Sequence, residues 1–557
     1  MKWFAAAFLT LALAACDTAG TETEAAAAGQ DDTPRQLTVF SGGTIYTGLD
    51  DPKTVDSVIV ENGRIVGTAP PLSEDWSEDE VTLVDLGGAV MYPGFTDAHA
   101  HLIGIGQREL IFSLEGTASI AELVSRVETE LKDKAPGEVL FGSGWIETGW
   151  PEGRMPSAAD LDAVSPDNPV ILMRADGHAL VANTAALKLA DIYDIGGNPQ
   201  GGRVERGEGM KATGIVIDNS MYPVLQLVPP ATEEQEREAY KIGAQVYVSR
   251  GWTGMHNMNV DRYGAPIMKS LDEEGLMPLR LYNAYDENAD DIARERSYET
   301  DTIRNRAMKL FVDGALGSRG ALLIEPYSDR PDTSGVEILD LYTLPVLMQK
   351  AEKEGVQLAI HAIGDLANRR ILDAYEELGY GPDLRWRIEH AQVLASEDIA
   401  RVGELGLIAS MQPSHAIGDL KFAPARLGMD RLGGAYAWKS LIDSGAIVAG
   451  GSDAPVEVGS PLIEFYAAVA RKDLEGNSGE GWHPEEALSR EEALKLFTSN
   501  AAYAAFMEDE LGTIEAGKLA DFTVFDRDLL TVPEAEILDA QPVMTVVQGE
   551  IVWRAGD

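Results

Sequence analysis

The chain has 557 residues, 45% of them hydrophobic and 24% charged, a composition that supports a substantial core and excludes disordered and fibrous classes. Its 45 Lys+Arg set against 91 Asp+Glu leave a net charge of −46. So acidic a chain repels phosphate backbones and anionic bilayers, so no nucleic-acid partner and no basic membrane patch are expected.

At the N-terminus Lys2 precedes an apolar run over residues 3–15, too short to span a bilayer comfortably. A charged start, a short apolar core and small residues before a cut are the marks of a secretory signal. Cys16 is the single cysteine, which leaves no internal disulfide and no cysteine-based metal site. The LAAC at 13–16 resembles a bacterial lipobox, in which cleavage leaves Cys16 as the acylated first residue. Residues 1–15 are thus expected to be a lipoprotein signal, and 16–35, small and acidic without apolar periodicity, a flexible tether. The protein is thus expected to be an exported lipoprotein, anchored to a membrane and facing the periplasm or cell exterior; the alternative is an ordinary signal peptide and simple secretion. A homodimer is left open.

From residue 36 the pattern turns to short β-branched runs at 37–40, 57–60, 64–66 and 81–84, separated by turns such as Asn62-Gly63. The C-terminus reads alike at 521–525, 544–547 and 551–553. The two ends, 36–92 and 510–557, are therefore expected to build one small β-domain. Between them strand-like runs at 308–312, 356–360, 387–390, 407–410 and 446–449 alternate with helical stretches at 344–354, 365–378, 395–405 and 490–506. Such alternation means βα units and a parallel sheet, and this many units predict an α/β fold, a (β/α)₈ barrel over 93–509. About 150 residues separate His101 from Gly251, far more than one βα unit needs, so an inserted subdomain is expected at about 105–235.

The chemistry concentrates in the MYPGFTDAHAH segment at 91–101. Residues two apart on a strand share a face, so His99 and His101 can share one metal ion. Lys309, His361, His390 and Asp453 each lie in, or just past, a predicted strand, and barrel sites sit at the C-terminal strand ends. Imidazoles and a carboxylate suit Zn²⁺ and similar divalent ions such as Mn²⁺, Fe²⁺, Co²⁺ or Ni²⁺. A lysine beside cations has a depressed pKa, and its neutral amine can add CO₂ to give a carbamate that bridges two ions. The alternative for Lys309 is an ordinary ion pair.

These segments together resemble a family. PGFTDAHAH at 93–101, IHAIGD at 360–365, IEHAQ at 388–392 and GSDAPV at 451–456 are similar to the metal-dependent amidohydrolase superfamily. More narrowly they resemble its amidohydrolase family 3 branch, which includes N-substituted formamide deformylase. KLFVDGALGSR at 309–319, MQPSHAIGD at 411–419, AYAW at 435–438 and GTIEAGKLAD at 512–521 agree, so the resemblance covers nearly all of the chain from about residue 37. It implies a barrel with a β-sandwich built from both chain ends. It also implies a metal site, two Zn²⁺ in the fullest form, made by His99, His101, Lys309, His361, His390 and Asp453.

The expected activity is hydrolysis of a C–N bond in a small amide or N-substituted formamide by a metal-activated water, with Asp453 as general base and acid. Lactonase, esterase or phosphoester hydrolase activity on the same ions is the alternative, and a tethered small-solute binding protein a further one. For substrate contacts the candidates are His178 in RADGH, His415 in QPSH, Trp145 and Arg319. Each has a plainer reading: a histidine satisfied in the insertion, a loop histidine, a core aromatic (as for Trp150), and an arginine paired with an acid. His256 reads as structural and His483 as exposed.

Overall fold

A computed structural model describes residues 36–68, 81–147, 149–175, 177, 179–194, 202–286, 292–478 and 482–556. The expected lipidation site Cys16 and the candidate His178 lie outside them. Eight parallel strands form the central sheet: β1 (Phe95–Ala100), β2 (Trp252–Val260), β3 (Arg280–Tyr285), β4 (Ile303–Phe311), β5 (Gln357–Ala362), β6 (Arg387–His390), β7 (Ile408–Met411) and β8 (Ile447–Gly450). They are hydrogen-bonded in the spatial order β1 to β8, the succession of a (β/α)₈ barrel. The end of β8 closes on β1, where Asp453 N donates to the His99 carbonyl at 2.7 Å. Gly451 is needed there: a Cβ would sit 2.5 Å from the His99 nitrogen.

Helices pack outside these strands through apolar faces. Thr343–Glu354 buries Leu344, Met348 and Ala351, and ends at Gly355 in the left-handed conformation, the usual helix stop. The helix expected over 490–506 is two, Arg490–Phe497 and Ser499–Ala504. The break falls at Thr498, whose hydroxyl bonds back to the Leu494 carbonyl at 2.8 Å while its backbone leaves the helical region.

Both chain ends meet in a second sheet of eight strands. Val90–Pro93 joins them, running parallel to Leu37–Tyr46 on one side and antiparallel to Phe522–Phe525 on the other. Alternation decides its faces: Phe522 and Val524 fill the small core with Phe40, Val58 and Met91, while Thr523 points at the barrel. The Thr523 hydroxyl donates to the Gly251 carbonyl at 2.7 Å and accepts from Phe95 N at 2.9 Å. Arg280 and Asp521 add a buried ion pair at 2.8 Å. Phe95, Gly251 and Arg280 all stand at the starts of barrel strands, so this sheet docks opposite the end where the candidate ligands lie.

The chain leaves the barrel after helix Leu102–Leu110 and returns with helix Glu233–Arg250. These two pack so closely that a Cβ on Gly106 would sit 1.7 Å from the Ala239 carbonyl. Between them lies a six-stranded sheet running from Phe112 to Asp218 with its own apolar core.

Candidate metal centre

The C-terminal strand ends bring the expected ligands together. His99 and His390 have ring centroids 4.7 Å apart, and His390 and His361 are 4.5 Å apart. Asp453 Oδ1 lies 3.1 Å from His101 Nε2 and 3.5 Å from His99 Nε2, and Lys309 Nζ is 3.2 Å from His99 Nε2. His390 and Asp453 both hold positive φ, 73° and 59°, a strained state for non-glycine residues that lets the chain turn sharply where the strand ends.

The partners on the far side of each ring show which nitrogen faces the site. His101 Nδ1 is 3.1 Å from the Met258 carbonyl, which only accepts, so Nδ1 carries the hydrogen and Nε2 a lone pair. His390 Nδ1 donates to Gln412 Oε1 at 2.8 Å, and His99 Nδ1 to Glu389 Oε2 at 2.5 Å. His361 Nε2 is buried without a hydrogen-bond partner. Lone pairs converging from buried imidazoles on a carboxylate are the donor set of a divalent cation, so these residues fit one. Among the described residues, His99, His390 and Asp453 form the one group of three whose ligand atoms all lie within 4.8 Å of one another.

Electrostatics favours the metal-ready forms. Burial, then Lys309, lowers His99 to about 4 and His361 to about 3, and burial with the neighbouring histidines holds His390 well below the usual range. Burial alone would raise Asp453; positive charge facing it, on His101, His99 and His390 when those rings are protonated, draws it well below the ordinary carboxylate value, a part that a bound cation would take over when the rings are neutral. Burial lowers Lys309 to about 8, so a neutral amine is accessible near physiological pH. The sign for metal retention follows: these imidazoles stay neutral, and able to bind, until pH falls toward about 4. Dialysis at pH 5.5 should therefore leave bound Zn²⁺ in place, and release should begin near pH 4. Loss already at pH 6 would contradict it.

The substrate candidates separate. His415 stands at the site, its Nε2 3.7 Å from Asp453 Oδ2 and its ring stacked on His390 at 6.0 Å. Trp145 does not: it is fully buried in the core of the insertion against Trp150, with its indole N–H bonded to the Leu172 carbonyl at 2.9 Å. Arg319 does not either: its guanidinium is bidentate to Asp329 at 3.1 and 2.8 Å, beside Arg426. His256 is buried and accepts from Arg387, a structural position as expected. His483 is part-exposed and pairs with Glu485.

Sequence reading did not single out Asp97, Gln412, Arg387 or Glu389. Asp97 pins β1 to the turn after β8, accepting from His99 N and Ser452 N, each at 3.0 Å, and from the Tyr247 hydroxyl. Glu389 and Arg387 stand beside His390 with period-two spacing, the one local sign that they face inward.

A barrel with such a cluster at its C-terminal strand ends defines a metal-dependent hydrolase. The chain belongs to the amidohydrolase family, which matches residues 82–553, and is thus a hydrolase of carbon–nitrogen bonds. It is 35% identical to the YtcJ protein of Bacillus subtilis (strain 168), over 92% of this chain and 99% of that one. It is 30% identical to N-substituted formamide deformylase of Arthrobacter pascens, over 88% of this chain and 94% of that one. An uncharacterized metal-dependent hydrolase from Pyrococcus horikoshii OT3 superposes with a TM-score of 0.74 at 28% identity, covering 90% of this chain and 99% of that one.

Proposed function

We propose that the protein hydrolyses a small non-peptide amide or N-substituted formamide, with Asp453 moving the proton. The observation that carries this reading is the ring of imidazoles around Asp453, with Lys309 among them. A bound divalent cation supplies a Lewis acid that polarises a carbonyl and makes a water acidic near neutral pH.

The chain's own residues do the rest. His99, His101, His361 and His390 would hold the cation, and the Met258 carbonyl and Gln412 keep His101 and His390 turned so that they could. Asp453 Oδ1 faces His101 and His99, while Oδ2 faces His415, so one oxygen can ligate while the other exchanges a proton. Asp453 accepts the proton of the attacking water and gives it to the departing nitrogen, leaving a carboxylic acid and an amine. Lys309, as a carbamate formed from CO₂ with loss of a proton, would add a carboxylate-like oxygen donor beside His99. Acylation of Cys16 would hold the enzyme at a membrane surface, which is tested by whether detergent is needed to extract it.

The function is tested with Zn²⁺- and bicarbonate-treated protein against a panel of amides, N-substituted formamides, lactones, esters and phosphoesters. Amine release from the amide or formamide members is expected. Turnover confined to lactones, esters or phosphoesters would refute the reading.

A further inference from the structure

We infer that Arg387 and Glu389 are a positioning pair that sets the metal affinity of the site through His99, an inference that rests on the metal-hydrolase reading above. Neither residue lies among the ligands. Both lie on β6 with Ile388 between them, so they share the inward face while Ile388 points away from it. Both are fully buried.

Their contacts cross the barrel. Arg387 Nε is 2.7 Å from Glu389 Oε1, and Nη2 is 3.1 Å from Oε2. Nη1 donates to His256 Nδ1 at 2.7 Å on β2, and Nη2 also reaches the Ala98 carbonyl at 2.6 Å on β1 and Ser410 Oγ at 2.7 Å on β7. One guanidinium thus ties β1, β2, β6 and β7 beneath the metal ligands. It leaves Glu389 Oε2 aimed at His99, whose Nδ1 it takes at 2.5 Å.

Two consequences follow for a cation above. A carboxylate on Nδ1 fixes the tautomer of His99 with its Nε2 lone pair toward the site, and makes that lone pair more basic. The carboxylate also cancels the guanidinium charge. Without Glu389, a buried and uncompensated Arg387 would stand under the site and repel the metal. Ala98 and His99 are neighbours in the chain, so the bond from Arg387 to the Ala98 carbonyl fixes the backbone of the same ligand that Glu389 orients. A pair serving packing alone would have no reason to converge on a ligand from both sides.

The test uses the full chain and reads metal binding without substrate. Zn²⁺ affinity is measured by competition with a chromophoric chelator, the visible spectrum is recorded with Co²⁺, and thermal unfolding is followed, for the parent, Glu389→Gln and Glu389→Asp. Glu389→Gln should bind Zn²⁺ about 10- to 100-fold more weakly and change the Co²⁺ spectrum. Glu389→Asp, which keeps the charge, should fall between it and the parent. A folded Glu389→Gln protein with parental affinity and spectrum overturns the inference. Should that variant fail to fold, Glu389→Asp decides on the same criterion, and failure of both to fold shows a folding element only and overturns it as well. A parent that binds no metal takes the metal-hydrolase reading down with it, whereas a parent that binds and variants that match it refute this inference alone.

Discussion

Asp453→Asn is expected to lower kcat by about 10²- to 10⁴-fold, the range for removing a general acid–base group, with metal content and KM near those of the parent. The substitution is isosteric and keeps an oxygen to face His101 and His99, which now lie 3.1 and 3.5 Å from Oδ1. The backbone is held independently of the side-chain charge, by Asp453 N on the His99 carbonyl at 2.7 Å and by the neighbouring Ser452 on Asp97. What disappears is an oxygen basic enough to take a proton and a group that can return it. Steady-state kinetics with metal analysis on the same sample checks this. A near-parental kcat with full metal would remove Asp453 from the proton path.

Lys309→Ala should have the second large effect. Lys309 is fully enclosed on β4, its Nζ 3.2 Å from His99 Nε2, and burial lowers it to about 8. As a carbamate it would be a ligand; as an ammonium it would oppose any cation held by His99. The alanine variant is therefore expected to retain fewer metal ions than the parent and to lose more than about 100-fold in kcat, beyond the effect of removing an outer partner. Added bicarbonate should raise the activity of metal-depleted parent on reloading and do nothing for the variant. Equal metal content in parent and variant, with no bicarbonate effect in either, would show an unmodified lysine.

The barrel was legible because its strands alternate with helices at regular intervals and because the ligands close those strands. The runs before His361 and Asp453 are short, apolar and closed by a polar group, whereas 387–390 reads RIEH with one apolar residue and was legible as a strand only from its place in the alternation. The joining of the two chain ends was legible as composition, but the strand that connects them was not. Val90–Pro93 runs directly into the ligand-bearing segment, and only the pairing to Phe522–Phe525 separates the two roles. The Arg387–Glu389 network escaped for the same reason: its partners, Ala98, His256 and Ser410, lie far away in sequence. Trp145 shows the opposite failure. An aromatic after a glycine-rich turn reads equally as a pocket wall or as core, and burial in a subdomain with its own core decided for the second. Arg319 likewise found its acid ten residues on, at Asp329, a surface pairing that no local pattern announces.

The most direct test of the central claim, a divalent-metal hydrolase built on these residues, is the metal-to-protein ratio of the chain beginning after Cys16, purified without chelators. About two ions per chain is the predicted result, with loss of amide hydrolysis when they are stripped and its return on reloading. No bound metal, even after incubation with Zn²⁺ or Mn²⁺ and bicarbonate, would contradict it.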